Sequence, residues 1–325
     1  MRRRNLLKSL TAAVAANGLA VRAGNAAESK TRRAPFIQAS DGTNLFYRDW
    51  GTGPAAVFVA PWALNSNWWE YQMAYLAGHG LRCVGYDRRG HGRSEEPGHG
   101  YDFDTLAGDL AAVIEQLDLH DVTLIGHSMG AAEVVRYLSR YHAARVARAV
   151  LIATITPFSL KTPDNPDGVD KSKLEKGRMD LSRDRPHQIA VAAPAFFGAS
   201  KNPVSPEMMD WWTRMIVDQC SLKVMLDLHR VFTETDFRPE LPRIAVATLL
   251  IHGDSDTSTP IEVTSRKTAR LIPGSRLVVY KNAAHGLPIT HMDRLNADLL
   301  AFVNSSGSLG SKENRRSFGS SGVAN

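Results

Sequence analysis

The pentapeptide GHSMG at positions 126–130, centred on Ser128, constrains the fold of this chain more than any other stretch. A run of β-branched and aliphatic residues, 122–125, leads into it, and a helix-like run, 131–140, follows directly. This order predicts a strand, a sharp turn and a helix, with the serine at the strained apex of the turn. The flanking glycines, Gly126 and Gly130, are expected because a Cβ atom at either position would collide where strand and helix cross.

Strand-like and helix-like runs alternate on both sides of this turn, from 55 to 154 and again from 245 to 303, where one helix is predicted over 262–271. Such alternation predicts an α/β fold with a mostly parallel central sheet that is flanked by helices on both faces. An Asp-Gly pair at 41–42 separates two further strand-like runs. This pair predicts a hairpin that precedes the parallel part of the sheet.

The alternation breaks between residues 157 and 237. This stretch contains a turn rich in proline and aspartate, charged helix-like runs, and aromatic clusters at 194–197 and 208–212. It is predicted to be an inserted helical cap, and most of its aromatic side chains are expected to form the cap's own core. The α/β core then comprises residues 34–156 and 238–303.

The formal net charge of +6 is concentrated at the two ends of the chain. Residues 1–33 carry eight lysines and arginines against one glutamate, and residues 304–325 carry three against one. The remainder, 34–303, therefore has a net charge of −3. This distribution argues against a nucleic-acid partner, because the basic residues do not lie on the folded part of the chain.

The first segment is typical of an export signal. The motif RRNLLK at 3–8 matches the twin-arginine pattern, and a mildly apolar run at 10–21 and small residues at 24–27 follow it. Residues 1–27 are thus predicted to be a signal peptide that directs the protein to the periplasm or the medium. The alternative is a basic N-terminus retained in the cytoplasm. The apolar run is too short and too weakly apolar to span a membrane, and the Ser/Gly-rich stretch 304–325 is predicted to be a disordered tail.

Two cysteines occur, Cys83 and Cys220, in different predicted elements. Cys83 falls in the apolar strand-like run 81–86, where a small buried hydrophobic side chain is the expected role. The sequence therefore predicts neither a disulfide nor a metal site.

The serine at the turn requires a base and an acid if it is to act as a nucleophile, because a serine hydroxyl is weakly nucleophilic near neutral pH. In sheets of this kind the order along the chain is serine, acid, histidine. Asp254 and Asp256 follow a strand-like run that ends at 252, and His285 follows the run at 276–280. Both loops come after the carboxyl ends of predicted strands, where open parallel sheets place their sites.

Two aspartates compete for the role of the acid. Asp256 is favoured, and Asp254 is expected to satisfy backbone donors in the turn. Among the eleven histidines, His285 fits the chain order of a base. His127 and His252 are expected near the site, but neither has that order.

An oxyanion hole needs two fixed N–H donors at the position where the tetrahedral oxygen forms. Met129, directly after the serine, offers one backbone N–H at the start of a helix. The other donor is expected in the loop after the strand-like run 55–59, where Trp62 is the candidate and Pro61 has no N–H to donate.

Many short motifs occur in one order between about Ile37 and Val303. They are DGT at 41–43, DWG at 49–51, WEYQM at 69–73, YDRRGHGRS at 86–94, QLDL at 116–119, RVA at 145–147, ETDF at 234–237, HGDSD at 252–256, AHG at 284–286 and LNADLLAF at 295–302. With these motifs the chain resembles the cofactor-free haloperoxidase, perhydrolase and aryl-esterase family of α/β-hydrolases. The resemblance implies the α/β-hydrolase fold and no cofactor. It also implies a triad of Ser128, Asp256 and His285, with oxyanion donors at Trp62 and Met129.

The chain departs from the family pattern at two places. Where the family has His-Gly before the oxyanion tryptophan and often proline after it, this chain has Ala60-Pro61 before and Ala63 after. A proline held near φ −65° in place of a glycine predicts a different course for the loop. The usual apolar residues after the acid are Thr257-Ser258-Thr259 here, which predicts a more polar pocket wall that includes Ser258. Ile155 and Phe158, after the strand-like run 146–154, are further pocket candidates.

The first functional hypothesis is a serine hydrolase that cleaves small-molecule carboxylic esters, or lactones, through an acyl-enzyme. The alternative enzyme is a cofactor-free perhydrolase or haloperoxidase that forms peracids from a carboxylate and hydrogen peroxide. In this family the proline after the tryptophan accompanies peroxide chemistry, so Ala63 favours the hydrolase. A hypothesis of another class is a small-molecule binding protein with a vestigial triad. A further possible partner is a second copy of the same chain, in a homo-oligomer.

Overall fold

The computed structural model describes residues 35–141 and 144–305. Eight strands form one sheet in the order β1-β2-β4-β3-β5-β6-β7-β8. The strands are β1 (Phe36–Gln38), β2 (Asn44–Trp50), β3 (Ala55–Val59), β4 (Arg82–Tyr86), β5 (Val122–His127), β6 (Val146–Ile152), β7 (Ala247–Gly253) and β8 (Arg276–Tyr280). β1 pairs antiparallel with β2 and β2 with β4, whereas the other neighbours are parallel. The predicted α/β-hydrolase fold with a mostly parallel sheet is confirmed.

Nine α-helices accompany the sheet in the described residues. They are α1 (Glu70–Gly78), α2 (Phe103–Gln116), α3 (Met129–Arg140), α4 (Lys171–Phe197), α5 (Pro206–Gln219), α6 (Leu222–Glu234), α7 (Ser265–Leu271), α8 (Leu287–Thr290) and α9 (Met292–Asn304). Within the described residues, no helix is long and apolar enough to cross a membrane. The predicted signal peptide lies outside the described residues, as does the predicted tail except for its first two residues.

The central strands are buried on both faces. All five residues of β3 and all six of β5 are buried, which the continuous apolar run of β3 predicted. The Asp-Gly hairpin is also confirmed, because Ile37 of β1 pairs with Leu45 of β2 and Gly42 takes a φ of 88°. Cys83 is buried in β4, and both cysteines are free.

The helix after β7 begins later than its sequence pattern predicts. The pattern indicates a helix from 262, whereas α7 begins at Ser265. The Thr264 hydroxyl donates to the carbonyl oxygens of Thr259 and Pro260, at 3.2 and 2.8 Å. These bonds hold the chain in a turn after the loop that carries the predicted acid, and the helix starts only beyond it.

Helices α4, α5 and α6 occupy the stretch between β6 and β7 that is predicted to form the cap. α4 is kinked at Asp184, whose φ and ψ of −153° and 73° are not helical, two residues before Pro186. Several hydrogen bonds join these helices to loops of the core, and two of them lie next to the predicted site. Gly286 donates its N–H to the carbonyl oxygen of Phe196 at 2.7 Å, and the Trp62 indole donates to that of Met225 at 2.9 Å.

Candidate active site

Ser128 lies at the turn between β5 and α3. Its φ and ψ are 56° and −117°, a region that a residue with a side chain rarely adopts, and its N–H donates to the carbonyl oxygen of Ile152 at 2.8 Å. A Cβ atom on Gly126 would lie 2.5 Å from the carbonyl oxygen of Gly130, and one on Gly130 would lie 2.4 Å from that of Val59. The predicted strand, sharp turn and helix are confirmed, together with the steric reason for both glycines.

Asp256 and His285 form a buried hydrogen-bonded pair. The Nδ1 atom of His285 lies 2.7 Å from Oδ2 of Asp256, and both residues are about 5 % exposed. Asp256 follows β7 and His285 follows the neighbouring strand β8, so the parallel pairing of these strands brings the two loops together.

The Asp256 carboxylate is held by its own loop. The backbone N–H groups of Ser258 and Thr259 each donate to Oδ1 at 2.9 Å, and the Thr259 hydroxyl donates to Oδ2 at 3.0 Å. Burial alone would raise the pKa of Asp256. The charge of His285 and hydrogen bonds from His252 and His285 outweigh burial, so the pKa of Asp256 lies well below its usual value. The carboxylate is therefore ionised at neutral pH and orients His285 through Nδ1.

The competing acid, Asp254, has the role expected of it. It is exposed, and its Oδ1 accepts the backbone N–H of Asn282 at 2.7 Å and the hydroxyl of Ser255 at 3.0 Å. The side chain of His252 contacts the loop that carries Asp256. Its Nε2 lies 2.8 Å from the carbonyl oxygen of Thr259 and 3.3 Å from Oδ2 of Asp256.

His127 connects the serine turn to the loop that carries His285. Its Nδ1 accepts the indole N–H of Trp68 at 3.1 Å, and its Nε2 then donates to the carbonyl oxygen of His285 at 3.0 Å. Burial, and then the charge of His285, hold the pKa of His127 well below its usual value, so the ring is neutral at pH 7. The sequence placed His127 near the site. Its connection with Trp68 had no signal in the sequence, because the two residues are 59 positions apart.

Trp62 and Met129 present backbone N–H groups at the two loops expected to form the oxyanion hole. Within residues 35–141 and 144–305, neither N–H donates to another atom of the chain. Met129 is the first residue of α3, where the helix dipole adds positive potential. Ala63, after the tryptophan, has a φ of 59°, so the loop bends at a position that a proline could not occupy.

The buried guanidinium of Arg88 is hydrogen-bonded to the loop that contains Trp62. The Arg88 guanidinium donates to the carbonyl oxygen of Ala60 at 2.8 Å and reaches that of Pro61 at 3.5 Å. Arg88 also pairs with Glu133 at 2.8 Å, and the Tyr86 hydroxyl donates to the same carboxylate. The sequence offered no signal for this support beyond the family motif that contains Arg88.

A family model described as the alpha/beta hydrolase fold matches residues 55–292. The chain belongs to this family. It is 38 % identical to a non-heme haloperoxidase of Rhodococcus erythropolis, over 83 % of this chain and 100 % of the relative. It is 36 % identical to a bifunctional esterase/perhydrolase of Acinetobacter calcoaceticus, over 83 % of this chain and 99 % of the relative. Among solved structures it is similar to a bromoperoxidase from Bacillus anthracis, with a TM-score of 0.79, 35 % identity, and coverage of 83 % and 99 % of the two chains.

Hydrolase-family membership and the named relatives together show an enzyme of the α/β-hydrolase type, in the group of non-heme haloperoxidases, perhydrolases and esterases. Within the described residues, no group of three or more histidine, cysteine, aspartate or glutamate side chains is arranged to hold a metal ion.

The three pocket candidates lie in different environments. Ile155 is buried in the main hydrophobic core, and Phe158 is half-buried, with the Arg238 guanidinium 5.2 Å from its ring centroid. Ser258 is exposed, and its backbone N–H is bound to Asp256. Their place in a substrate pocket stays a prediction.

An aromatic residue of α4, Phe196, contacts the site directly. Its ring centroid lies 5.4 Å from that of His285 and 5.7 Å from that of Trp68. Phe196 belongs to a cluster whose aromatic residues were expected mainly to form the cap's own core, and individual members could not be assigned from the sequence. Only the packing of α4 shows that this one faces the histidine.

Proposed function

We propose that this protein hydrolyses carboxylic esters, and lactones, through an acyl-enzyme on Ser128. The observation that carries the proposal is the buried hydrogen bond of 2.7 Å between Asp256 and His285. His127, which directly precedes Ser128 in the chain, donates to the backbone of His285 and so brings the serine turn to this pair. The named esterase and perhydrolase relatives support the same chemistry.

In this proposal Asp256 keeps His285 in the tautomer that carries its proton on Nδ1. The free Nε2 takes the proton of the Ser128 hydroxyl as its oxygen attacks the carbonyl carbon of the ester. The oxyanion that forms accepts the N–H groups of Trp62 and Met129. The intermediate collapses, the alcohol leaves with the proton from His285, and water then attacks the acyl-enzyme by the same route and releases the acid.

The direct test is hydrolysis of 4-nitrophenyl acetate by the purified protein and by Ser128→Ala. We expect the variant to lose nearly all activity, by roughly 10³-fold or more, because the nucleophile is absent. Ser172→Ala, at an exposed serine of α4, is the matched control and should keep wild-type activity. Full activity in Ser128→Ala would overturn the assignment. A fluorophosphonate probe that fails to label Ser128 while ligands still bind would instead favour a binding protein with a vestigial triad.

The second candidate function, perhydrolysis, is favoured by the haloperoxidase names of several relatives. There hydrogen peroxide replaces water in deacylation, and the peracid that forms oxidises halide. The φ of 59° at Ala63 argues against this as the main activity, because the family's proline at that position cannot adopt the conformation. Bromination of monochlorodimedone that requires both peroxide and an acetate buffer would establish perhydrolysis. Its absence at rates where esters are hydrolysed would remove it.

A further inference from the structure

The hydroxyl of Thr259 contacts both residues of the buried pair of aspartate and histidine. Its Oγ1 atom lies 3.0 Å from Oδ2 of Asp256 and 3.1 Å from Nδ1 of His285. Among the described residues, its other polar neighbour is the carbonyl oxygen of Ala153, at 3.5 Å. Of the three hydroxyl side chains expected in a polar pocket wall, at 257–259, the first two are exposed, whereas Thr259 is half-buried against the pair.

The direction of each hydrogen bond follows from the groups around this hydroxyl. Asp256 is ionised at neutral pH and can only accept, and it lies 2.7 Å from Nδ1 of His285, so Nδ1 carries a proton. A hydroxyl has one proton, and the carboxylate oxygen at 3.0 Å is a nearer and more negative acceptor than the carbonyl oxygen at 3.5 Å. Thr259 thus donates to Asp256, and its oxygen is a second acceptor for the Nδ1–H of His285.

The main chain of Thr259 is fixed on both sides of this side chain. Its N–H donates to Oδ1 of Asp256 at 2.9 Å. Its carbonyl oxygen accepts the Nε2–H of His252 at 2.8 Å and the Thr264 hydroxyl at 3.2 Å. Nε2 of His252 carries a proton because its two neighbours, this carbonyl oxygen and Oδ2 of Asp256, are both acceptors. Since a β-branched side chain also has few χ1 rotamers, the hydroxyl is held in position before a substrate binds.

The orientation of this hydroxyl favours a positive charge on His285. When Nε2 of His285 takes the proton of Ser128, the ring becomes an imidazolium and its Nδ1–H becomes a stronger donor. The oxygen of Thr259, the negative end of its O–H dipole, faces this new charge, and the hydrogen faces the carboxylate. The dipole is therefore aligned between the two charges. It stabilises the charged pair more than the pair before proton transfer, and this difference accelerates the reaction.

We infer that Thr259 is a positioning residue, whose hydroxyl supports His285 together with Asp256 during proton transfer. It acts through the histidine and has no contact with the reacting bond. This inference rests on the proposed ester hydrolysis, and it adds one side chain to the group that activates Ser128. Loss of the hydroxyl should therefore slow the chemical steps and leave substrate binding nearly unchanged.

The test uses Thr259→Val, which keeps the shape of the side chain and removes its hydroxyl, with 4-nitrophenyl acetate as the substrate. His285 serves both acylation and deacylation, so kcat reports on the base whichever step limits the rate. We expect kcat to fall by about 3- to 10-fold, the range for one neutral hydrogen bond, with KM within about twofold. Thr259→Ser keeps the hydroxyl and should recover most of the lost kcat.

Two further variants guard the comparison. Thr259→Ala also lacks the hydroxyl and should show the same loss, so the test stands if Thr259→Val folds poorly. Thr248→Val is the matched control, because it removes a hydroxyl that donates to the carbonyl oxygen of Val246 at 2.9 Å. Thr248 lies near the start of β7, at the opposite end of the strand from the loop of Asp256, so this variant should keep wild-type kcat. Circular dichroism and urea midpoints report the folding of each variant.

A double-mutant comparison separates the proposed role from a general effect on the fold. In the Asp256→Asn background the charged pair cannot form, so adding Thr259→Val should change kcat by less than about twofold. A merely structural role would give the same factor in both backgrounds.

Three results would overturn the inference while ester hydrolysis stands. They are a kcat within twofold of wild type in folded Thr259→Val and Thr259→Ala, a Thr259→Ser variant as slow as Thr259→Val, and an undiminished loss in the Asp256→Asn background. Absence of ester hydrolysis by the wild-type protein would instead overturn the proposed function, and this inference with it.

Discussion

Arg88 donates a hydrogen bond of 2.8 Å to the backbone carbonyl oxygen of Ala60 while it is ion-paired with a buried glutamate. This contact fixes the start of the loop that carries Trp62. The family pattern that the chain resembles has a glycine before the tryptophan, whereas here Pro61 precedes it. The loop therefore takes its course from a restricted φ at Pro61, a positive φ at Ala63 and the anchored carbonyl of Ala60.

Substitution of Arg88 should impair catalysis more than substrate binding. Arg88→Lys keeps a charge for Glu133 but removes the planar fork that reaches Ala60 and Pro61, so the Trp62 N–H loses its fixed position. We expect kcat on a neutral aryl ester to fall by about 10- to 100-fold with KM changed by less than about threefold. Steady-state kinetics measure the split. Arg136→Lys, in another largely buried ion pair, is the control and should retain kcat. Unchanged kcat in folded Arg88→Lys would contradict the role.

The two aspartates after β7 should differ sharply when each is changed to asparagine. Asp256→Asn removes the charge that orients His285, so kcat should fall by about 10³- to 10⁴-fold. Asp254→Asn replaces an exposed acceptor in a turn, and activity should remain within about threefold. Steady-state measurement of kcat with one aryl ester compares the two variants. Comparable losses in the two variants would mean that Asp254 also serves the histidine.

Alanine substitutions at Gly130 and Gly177 should change the stability of the protein in opposite directions. Gly130→Ala would place a Cβ 2.4 Å from the carbonyl oxygen of Val59, a backbone atom that cannot move aside, and it should destabilise the protein by about 1–3 kcal/mol or more. Gly177, inside α4, has open space within 4 Å of the point that a Cβ would occupy, so Gly177→Ala should stabilise by about 0.5–1 kcal/mol. Urea unfolding measures both changes. A neutral Gly130→Ala would show that the turn is less crowded than its geometry indicates.

The protein should lose stability as the pH falls from about 6.5 toward 4. Burial, and then the charge of Arg88, lower the pKa of His91 from 6.5 to about 3, and the pKa of His229 is lowered to about 4. Between these values the unfolded chain binds protons that the folded chain does not, so the free energy of unfolding rises with pH across this window. Urea midpoints at pH 7, 5.5 and 4.5 measure the slope. His91→Asn should flatten it, whereas His99→Gln, at an exposed histidine, should not.

Local pattern was sufficient to predict the sheet and the turn at Ser128. A short continuous apolar run such as β3 is typical of a strand buried on both faces, and glycines two residues before and after a serine are typical of a strand, sharp turn and helix. The proximity of Asp256 and His285 could also be predicted, because the loops that follow parallel strands lie at one edge of the sheet. The start of α7 could not, since hydroxyl contacts of Thr264 with a preceding turn delay the helix.

The sequence by itself determined the fold class, the serine turn, and the aspartate and histidine that follow neighbouring strands. Only the tertiary structure decided which side chains surround them. Phe196 against His285, Trp68 on His127 and Arg88 behind Ala60 each join residues that are far apart in the chain. Backbone patterns repeat over a few residues and are visible in one segment, whereas such contacts depend on how several elements pack at once. No single stretch of sequence contains that information.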